Sequence, residues 1–365
     1  MVDLANDTDV QFDAAANRAA EPRTPFSFDI VTDSADAHAL LDSLSPEAVH
    51  SGYQAPPFLK HWLKAVTDRP LFLMLTPTSG AKAGPVILPL EMLDDCTARY
   101  LGGRHANGNF PIGKLQDIAA LGELDPKALR HLMRRFSSDP CSLVLERQLP
   151  EIAGIANPFI NVRSTRSPNV ALSLEVADGF DAVLSARNGK RLRKKMRSST
   201  RKLEERGTIE FITANDSATS SAIMDKFFAL KAEHFTQAGI FNVFGDAPTQ
   251  AFFRALFDPT EQAKTAKTRY VLHALMLDDA PIALIGCTAH GDRITVEFGT
   301  FDMAYSDVSL GDLLFYKTIE HYCDAGFAEF SFGIGDEPYK RRWCDVETWQ
   351  MDTFVPGNLR GEVIA

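Results

Sequence analysis

The chain has 365 residues, of which 45% are hydrophobic and 24% charged, and its formal net charge is −10. That composition is typical of a globular protein with enough apolar material for two cores. The acidic balance argues against a general nucleic-acid binder, which is expected to be basic, so we expect no stably bound nucleic acid.

The cysteines and the N-terminal segment bear on the compartment. The five cysteines are far apart and no histidine pair has zinc spacing, so the sequence predicts neither a disulfide framework nor a metal site. Residues 1–25 contain no continuous apolar segment and are predicted to be a disordered tail rather than a secretory signal. No apolar run has the length of a membrane span. These features favour a cytoplasmic protein.

Residues 26–165 are predicted to form a first domain that mixes helices and strands. The predicted elements, in chain order, are a strand at Phe26–Ile30, helices at Ala35–Leu44 and Pro57–Val66, strands at Leu71–Pro77 and Pro85–Leu93, a helix near Pro126–Phe136 and a strand at Ser142–Glu146.

Residues 166–365 restart the pattern and are predicted to form a second domain. Its predicted elements are a strand from Asn169, one long helix over Phe180–Arg206, a strand at Thr208–Thr213, two helices, strands at Tyr270–Leu277, Pro281–His290 and Arg293–Phe301, a helix at Leu310–Ala325, a strand at Ala328–Gly333, a short helix and a strand near Thr348–Phe354. Because two short turns join the three central strands, we expect an antiparallel meander. The similar halves of this α/β (α+β) protein hint at a duplication.

The segment Arg187–Arg206 is strongly basic. Its ten cations are Arg187, Lys190, Arg191, Arg193, Lys194, Lys195, Arg197, Arg201, Lys202 and Arg206. Like charges one helical turn apart cost stability, which indicates an anionic ligand such as CoA phosphates, a lipid-linked or nucleotide-linked substrate, tRNA or a membrane surface. The alternative is a solvated helix face neutralised by acidic neighbours.

The stretch Tyr305–Trp343, which ends in "GDEPYKRRW", carries a family likeness. With the element order around it, this half resembles the GNAT acyltransferase fold. More narrowly, it is similar to the CelD group of bacterial acetyltransferases associated with cellulose biosynthesis, and "PVILPLEML" and "YLGG" extend the similarity into the first half. The resemblance covers about residues 26–355. It implies two tandem GNAT-like domains related to FemABX proteins, each a mixed, mostly antiparallel sheet flanked by helices. The first would be a degenerate copy and the second the acyltransferase, with acetyl-CoA as co-substrate.

Two residues are candidates for the chemistry. Glu297 lies in the third meander strand, where strand alternation predicts one face for Arg293, Thr295, Glu297 and Gly299. A partly buried carboxylate with a raised pKa can take the proton of an attacking ammonium group, whereas the alternative is a solvent-facing glutamate. The resemblance implies that Tyr339 protonates the leaving thiolate. The alternative for Tyr339 is an amphipathic ring packed at a turn.

The start of the helix at residue 310 is the predicted cofactor site. Unpaired backbone N–H groups at a helix N-terminus bind phosphate, and Gly311 permits close approach. The segment comprises Ser309, Leu310, Gly311, Asp312 and Leu313. An ordinary helix capped by Ser309 is the alternative. The carboxylate of Asp312 is expected to repel a pyrophosphate.

The motif "GDEPYKRRW" supplies the predicted substrate-binding residues. They are Asp336, Lys340, Arg341 and Trp343, with Arg342 between them. Basic side chains hold phosphates or carboxylates, and acidic ones orient a lysine or an amine. The alternatives are a solvated basic turn and, for Trp343, a place in the core.

These observations predict an acyl-CoA-dependent N-acyltransferase. It would transfer acetyl from acetyl-CoA to the amine, or less readily the hydroxyl, of a small-molecule, saccharide or peptide acceptor. The family likeness links it to exopolysaccharide or envelope metabolism. One alternative is a FemABX-like transferase that uses aminoacyl-tRNA, and another is a non-catalytic pseudo-acyltransferase that acts as a scaffold.

Overall fold

The computed structural model describes residues 26–356, apart from 79–82, 94–96, 123, 125, 134–141, 161–162 and 263–265. The predicted tail at residues 1–25 lies outside the described residues, as does the end of the helix predicted near Pro126–Phe136.

Helices of the described chain lie on both faces of one large sheet. They are α1 (Ser34–Asp42), α2 (Pro56–Ala65), α3 (Leu115–Leu121), α4 (Pro126–Met133), α5 (Phe180–Ser185), α6 (Gly189–Glu204), α7 (Ser217–Ala238), α8 (Ala247–Leu256), α9 (Leu310–Asp324) and α10 (Pro338–Arg341).

The strands are β1 (Phe26–Val31), β2 (Pro70–Pro77), β3 (Val86–Met92), β4 (Thr97–Tyr100), β5 (Ser142–Gln148), β6 (Glu151–Ile152), β7 (Ile155–Ala156), β8 (Ser164–Glu175), β9 (Ile209–Thr213), β10 (Thr268–Leu277), β11 (Ala280–His290), β12 (Arg293–Phe301), β13 (Glu329–Ile334) and β14 (Val346–Val355). The twelve-stranded sheet has the order β1-β2-β3-β4-β5-β14-β8-β13-β12-β11-β10-β9, and β6 and β7 form a small hairpin. The pairs β4·β5 and β12·β13 are parallel and the other pairs of the large sheet are antiparallel. The mixed, mostly antiparallel sheet flanked by helices confirms the predicted fold class.

The prediction of a single helix over Phe180–Arg206 is wrong, because this segment forms two helices. The chain turns at residues 186–188 and separates α5 from α6. The side chain of Asn188 accepts a hydrogen bond from the backbone N–H of Arg191, which caps the new helix. A Cβ at Gly189 would lie 2.5 Å from the carbonyl oxygen of Leu184, so only glycine fits this tight junction.

The two halves repeat one order of elements and exchange their last strands. The order β1-α1-α2-β2-β3-β4 of the first half recurs as β9-α7-α8-β10-β11-β12 in the second, and in each half a helical segment then leads to a parallel strand, β5 or β13. Along the chain, the next strand of the large sheet after β5 is β8, yet β8 pairs with β13 and β14 and not with β5. Likewise β14 follows β13 in the chain and pairs with β5. The predicted domain boundary at residue 165 falls inside β8.

A shared aromatic core joins the halves on one face of the sheet. Helix α2 packs against α8, where Phe58 and Trp62 each lie 5.0 Å from Phe252, measured between ring centroids. On the opposite face, α5, α6 and α9 cover a separate core of the second half. The first half has a third core, beneath α3 and α4. Burial of apolar surface in these layers is the main force that holds the large sheet together.

Candidate active site

The site is a cleft in the second half, where two parallel strands part. Strands β12 and β13 pair only over Arg293–Thr295 and Glu329–Ser331. Beyond that point the gap opens into a cleft of about 1000 Å³. It is lined by the C-terminal end of α7, residues 296–301, the start of α9, residues 332–334 and part of α10. From Val296 onward, the β13-facing edge of β12 pairs with no strand of the described chain, so backbone groups of that edge border the cleft.

A β-bulge shapes β12 at the cleft. Val296 pairs with Cys287 and Phe298 pairs with Gly286, which leaves Glu297 as the extra residue. A bulge places two residues opposite one and shifts the alternation that follows. Glu297 therefore shares the α7 face of the sheet with Thr295, as predicted, but the prediction that Gly299 also lies on this face is wrong.

The carboxyl group of Glu297 is partly buried on the α7 face of the sheet. Thr288 of β11 donates a hydrogen bond of 2.5 Å to its Oε1. Tyr53, from the first half, also hydrogen-bonds the carboxylate. Burial raises the pKa of Glu297 to about 7, although these two hydrogen bonds act to lower it. Such a group is a poised proton acceptor rather than a solvent-facing glutamate.

The start of α9 lies on the other face of the sheet and lines the cleft with Ser309, Leu310, Gly311 and Asp312. The side chain of Ser309 occupies the N-cap position and makes no capping hydrogen bond. The backbone N–H of Leu310 donates to the carbonyl of Val308, whereas the N–H groups of Gly311 and Asp312 are not capped by this serine and are available to a ligand. The predicted fifth residue, Leu313, instead packs in the core behind the helix.

Two cations neutralise Asp312. Lys195 of α6 forms an ion pair with one carboxylate oxygen, and Arg342 donates a hydrogen bond of 2.7 Å to the other. The Asp312 side chain is only 16% exposed, so it is held between these partners. The site thus carries a net positive charge where the sequence indicated a repulsive carboxylate. The ion pair with Asp312 also gives a partner to Lys195, one of the ten cations of the basic segment.

Tyr339 and Lys340 of α10 line the cleft as well. The ring of Tyr339 stacks on Phe315, with 5.4 Å between centroids, and burial raises the pKa of its hydroxyl to about 12. Tyr339 therefore keeps its proton at neutral pH. Lys340 is only 5% exposed, and its ammonium lies 2.9 Å from Glu337.

Three predicted binding residues do not line the cleft. Trp343 is 3% exposed and belongs to the core under α9. Arg341 is an exposed side chain that forms ion pairs with Asp336 and Glu347. In this structure Asp336 and Arg341 stabilise the turn around α10, and Arg342 is the arginine of the motif that reaches the cleft.

The basic segment is partly neutralised by its neighbours. Acidic side chains pair with Arg193 (Asp181), Lys195 (Asp312) and Arg206 (Asp307). The side chains of four exposed cations of α6 have neither an ion-pair nor a hydrogen-bond partner among the described residues: Lys190, Arg191, Lys194 and Arg197. The segment combines both interpretations offered by the sequence, because some of its cations are ion-paired and others are open to solvent.

Several cleft residues were missed by the sequence reasoning. Tyr53 and Thr288 hold Glu297, and Lys231 and His234 of α7 line the opposite wall. Tyr53 precedes Glu297 by more than 240 positions, and no spacing rule connects them. The sequence feature that could have identified the α7 residues is the presence of Lys231 and His234 one turn apart in a helix of mainly apolar pattern.

The equivalent gap in the first half is filled by the chain itself. Asn109 inserts beside β5, where its backbone N–H donates to the carbonyl of Arg147 and its carbonyl accepts from Leu149, each at 2.8 Å. Ile112 forms an antiparallel bridge with Ile87 of β3, in which each backbone N–H donates to the carbonyl of the other residue. Gln54 donates to the Asn109 side chain from the buried turn that also carries Tyr53. This half therefore has no open cleft between β4 and β5 in the part of the chain that the structure describes.

Among the described residues, no group of three or more His, Cys, Asp or Glu side chains is arranged to hold a metal ion. No helix in this part of the chain is long and apolar enough to cross a membrane.

The cleft lies within a recognisable domain. Residues 190–341 match the family of acetyltransferase (GNAT) domains, so the second half contains a GNAT-type acetyltransferase domain. This match includes the bulged strand, the start of α9 and Tyr339. No curated protein matches the sequence.

The whole chain shares its fold with solved structures of low sequence identity. FemX is similar with a TM-score of 0.58 at 10% identity, covering 93% of this chain and 99% of that chain. The C-terminal domain of a putative lysylphosphatidylglycerol synthetase from Agrobacterium fabrum has a TM-score of 0.54 at 10% identity, covering 91% and 94%. A tandem GNAT protein from the clavulanic acid biosynthesis pathway has a TM-score of 0.43 at 11% identity, covering 90% and 99%. The fold is thus that of FemX and of the lysylphosphatidylglycerol synthetase domain.

Proposed function

We propose that this protein is an acyl-CoA-dependent N-acyltransferase that transfers an acetyl group from acetyl-CoA to a primary amine. The observation that carries the proposal is the arrangement of the cleft. A carboxyl group with a pKa near neutrality lies on one face of the sheet, a helix N-terminus without a side-chain cap lies on the other, and one cleft at the β12 bulge joins them.

The residues at the start of α9 fit the phosphates of acetyl-CoA. Backbone N–H groups at Gly311 and Asp312 can bind a pyrophosphate, and Arg342 and Lys195 supply charge beside them. Acetyl-CoA, when bound, supplies an acyl group on a thioester to the attacking amine. Because Asp312 is already paired, its carboxylate does not act as an isolated negative charge.

Each polar group in the cleft has a defined task under this proposal. Glu297 takes a proton from the attacking ammonium group, which its pKa of about 7 permits near neutrality. Tyr339, protonated at this pH, donates a proton to the departing sulfur. Backbone N–H groups on the unpaired edge of β12 are suited to the oxygen that gains negative charge. Once an acceptor is known, Glu297→Gln should lower kcat by about 10²- to 10⁴-fold.

A transferase that uses aminoacyl-tRNA is the second candidate. The likeness to FemX and the four unpaired cations on α6 favour it. A non-catalytic scaffold was predicted to have a cleft too closed for CoA, and a cleft of about 1000 Å³ does not favour that alternative. The family link to exopolysaccharide or envelope metabolism stays a prediction.

Isothermal titration calorimetry with acetyl-CoA tests the proposal. We expect micromolar binding by the wild type and by Arg341→Ala, a control whose arginine lies outside the cleft. Arg342→Ala should bind about 5- to 10-fold more weakly, because it removes a charged phosphate contact. No binding by the wild type would overturn the acetyl-CoA proposal. Transfer RNA retained through purification would then favour the second candidate.

A further inference from the structure

The α7 wall of the cleft presents polar side chains that the proposed chemistry does not use. Lys231, His234 and Gln237 lie three residues apart on one face of α7, and all three line the cleft. Asn107, from the first half, lines it as well. These groups share the face of the sheet on which the Glu297 carboxyl group lies, away from the start of α9.

Lys231 differs from the other cations of the cleft. The ammonium of Lys340 pairs with Glu337 and the guanidinium of Arg342 pairs with Asp312. No described carboxylate pairs with Lys231, whose Nζ lies 5.6 Å from the centroid of the Phe235 ring one turn along the helix. Burial lowers the pKa of Lys231. A partly buried ammonium without a counterion is costly unless a ligand supplies the negative charge.

His234 points to a ligand independently of Lys231. Its Nδ1 lies 3.3 Å from the hydroxyl oxygen of Thr300, a residue of β12 that also lines the cleft. Its Nε2 is buried and has no hydrogen-bond partner among the described residues. Buried polar atoms are nearly always paired in native proteins, so an unpaired ring nitrogen in a cleft wall marks a contact that a bound molecule completes.

We propose that the α7 wall binds an acidic group of the acceptor, a carboxylate or a phosphate, through Lys231 and His234. This inference rests on the proposed function and narrows its acceptor. An amine placed at Glu297 and an acid placed at Lys231 would occupy the same face of the sheet. The acceptor is therefore a primary amine that also carries an acidic group, such as an amino acid or a phosphorylated amino sugar.

Two matched pairs of product-like probes test the inference without requiring turnover. The carboxylate pair is N-acetylglycine and N-acetylglycinamide, and the phosphate pair is N-acetylglucosamine 6-phosphate and N-acetylglucosamine. Binding to the full-length protein, without acetyl-CoA, is measured by chemical-shift changes in ¹H–¹⁵N TROSY spectra. We expect the acidic member of one pair to bind at least about tenfold more tightly than its neutral partner, and the pair that responds identifies the acid.

Variants at Lys231 complete the test. Lys231→Met removes the charge while keeping a side chain of similar length, and it should weaken binding of the acidic probe at least about tenfold. Lys231→Arg keeps the charge and should retain binding. Lys317→Met, an ion-paired lysine of α9 outside the cleft, is the matched control and should bind like the wild type. Retention of the wild-type spectrum shows that each variant is folded.

The outcomes separate this inference from the proposed function. Equal binding of acidic and neutral probes, no binding of any probe, or unchanged binding by Lys231→Met would overturn the acidic-group site. If acetyl-CoA binds in calorimetry and the acidic probes fail, the inference alone is wrong. If the acidic probes bind and acetyl-CoA does not, the site for the acid stands and the proposed donor is wrong.

Discussion

The carboxyl group of Glu297 shows how one residue acquires a property that its free side chain lacks. In water this carboxyl would be ionised at neutral pH, but burial against β11 and the turn that carries Tyr53 raises its pKa to about 7. Thr288 and Tyr53 donate hydrogen bonds to the ionised carboxylate and limit the rise in its pKa. The residue is thus a usable base near neutral pH, at the expense of stability once it ionises.

The direction in which the ionisation of Glu297 changes the stability of the protein with pH follows from its raised pKa. The folded-state pKa of about 7 exceeds the ordinary value of 4.5, so between these values the folded protein holds a proton that the unfolded chain has lost. The free energy of unfolding should therefore fall as pH rises from about 4.5 to 7. Glu297→Gln removes the ionisation and should stabilise the protein at pH 8 by at most about 3 kcal/mol, with little effect at pH 5.

Urea unfolding at the two pH values measures this difference. Thr288→Val, which removes a hydrogen-bond donor to the ionised carboxylate, is the companion variant and should destabilise the protein more at pH 8 than at pH 5. Equal effects of Glu297→Gln at pH 5 and pH 8 would contradict the raised pKa.

At the scale of elements, the start of α9 depends on two other helical segments. Lys195 of α6 and Arg342 at the end of α10 both pair with Asp312, so three segments meet at one carboxylate. An acidic side chain in the first turn of a helix interacts favourably with the helix dipole. The two cations beside Asp312 leave the site with a positive charge overall. The basic segment thus contributes to the cleft through one paired lysine.

Removing the Asp312 charge should tighten the binding of acetyl-CoA. In Asp312→Asn, Lys195 and Arg342 would face a phosphate without a competing carboxylate. We expect a two- to fivefold lower Kd at low ionic strength, which corresponds to the modest energies of charges near helix ends. The gain should shrink as salt is added, because exposed charges are screened. Calorimetry at 20 and 300 mM salt checks this, and weaker binding by Asp312→Asn would indicate that the carboxylate positions its two partners.

At the scale of the whole molecule, the exchanged strands make the halves interdependent. Strand β14 lies between β5 and β8, and β8 lies between β14 and β13, so each half completes the sheet of the other. The aromatic core between α2 and α8 adds a second shared interface. The turn of the first half that carries Tyr53 also contacts the carboxyl group of Glu297.

We therefore expect the two halves to unfold together. In hydrogen exchange measured by mass spectrometry at increasing urea, peptides from β3 and β11 should converge on one free energy of opening. Phe252→Ala, in the shared core, should lower both values equally, by about 3 to 5 kcal/mol. Leu129→Ala, in the separate core of the first half, should likewise lower the protection of both β3 and β11, because the halves unfold as one unit. Protection of β11 that survives after β3 has opened would show independent domains.

Much of the fold was predictable because its signals are local. Apolar periodicity and short turns identified the meander, α9 and β13 within a few residues. The break between α5 and α6 was not predicted, because both segments keep one helical apolar pattern and the close approach at Gly189 is set by packing. The bulge at Glu297 also escaped prediction, since an extra residue in one strand is defined only by its partner strand.

The amino-acid sequence by itself determined the class of fold, the start of α9, and the elements that carry Glu297 and Tyr339. These follow from local periodicity and from the order of elements along the chain. Tertiary structure alone decided that Tyr53 holds Glu297, that Lys195 and Arg342 neutralise Asp312, and that Lys231 and His234 face the same cleft. Each of these contacts joins elements far apart in the chain, and the energies of burial and charge pairing depend on distances that no local pattern encodes.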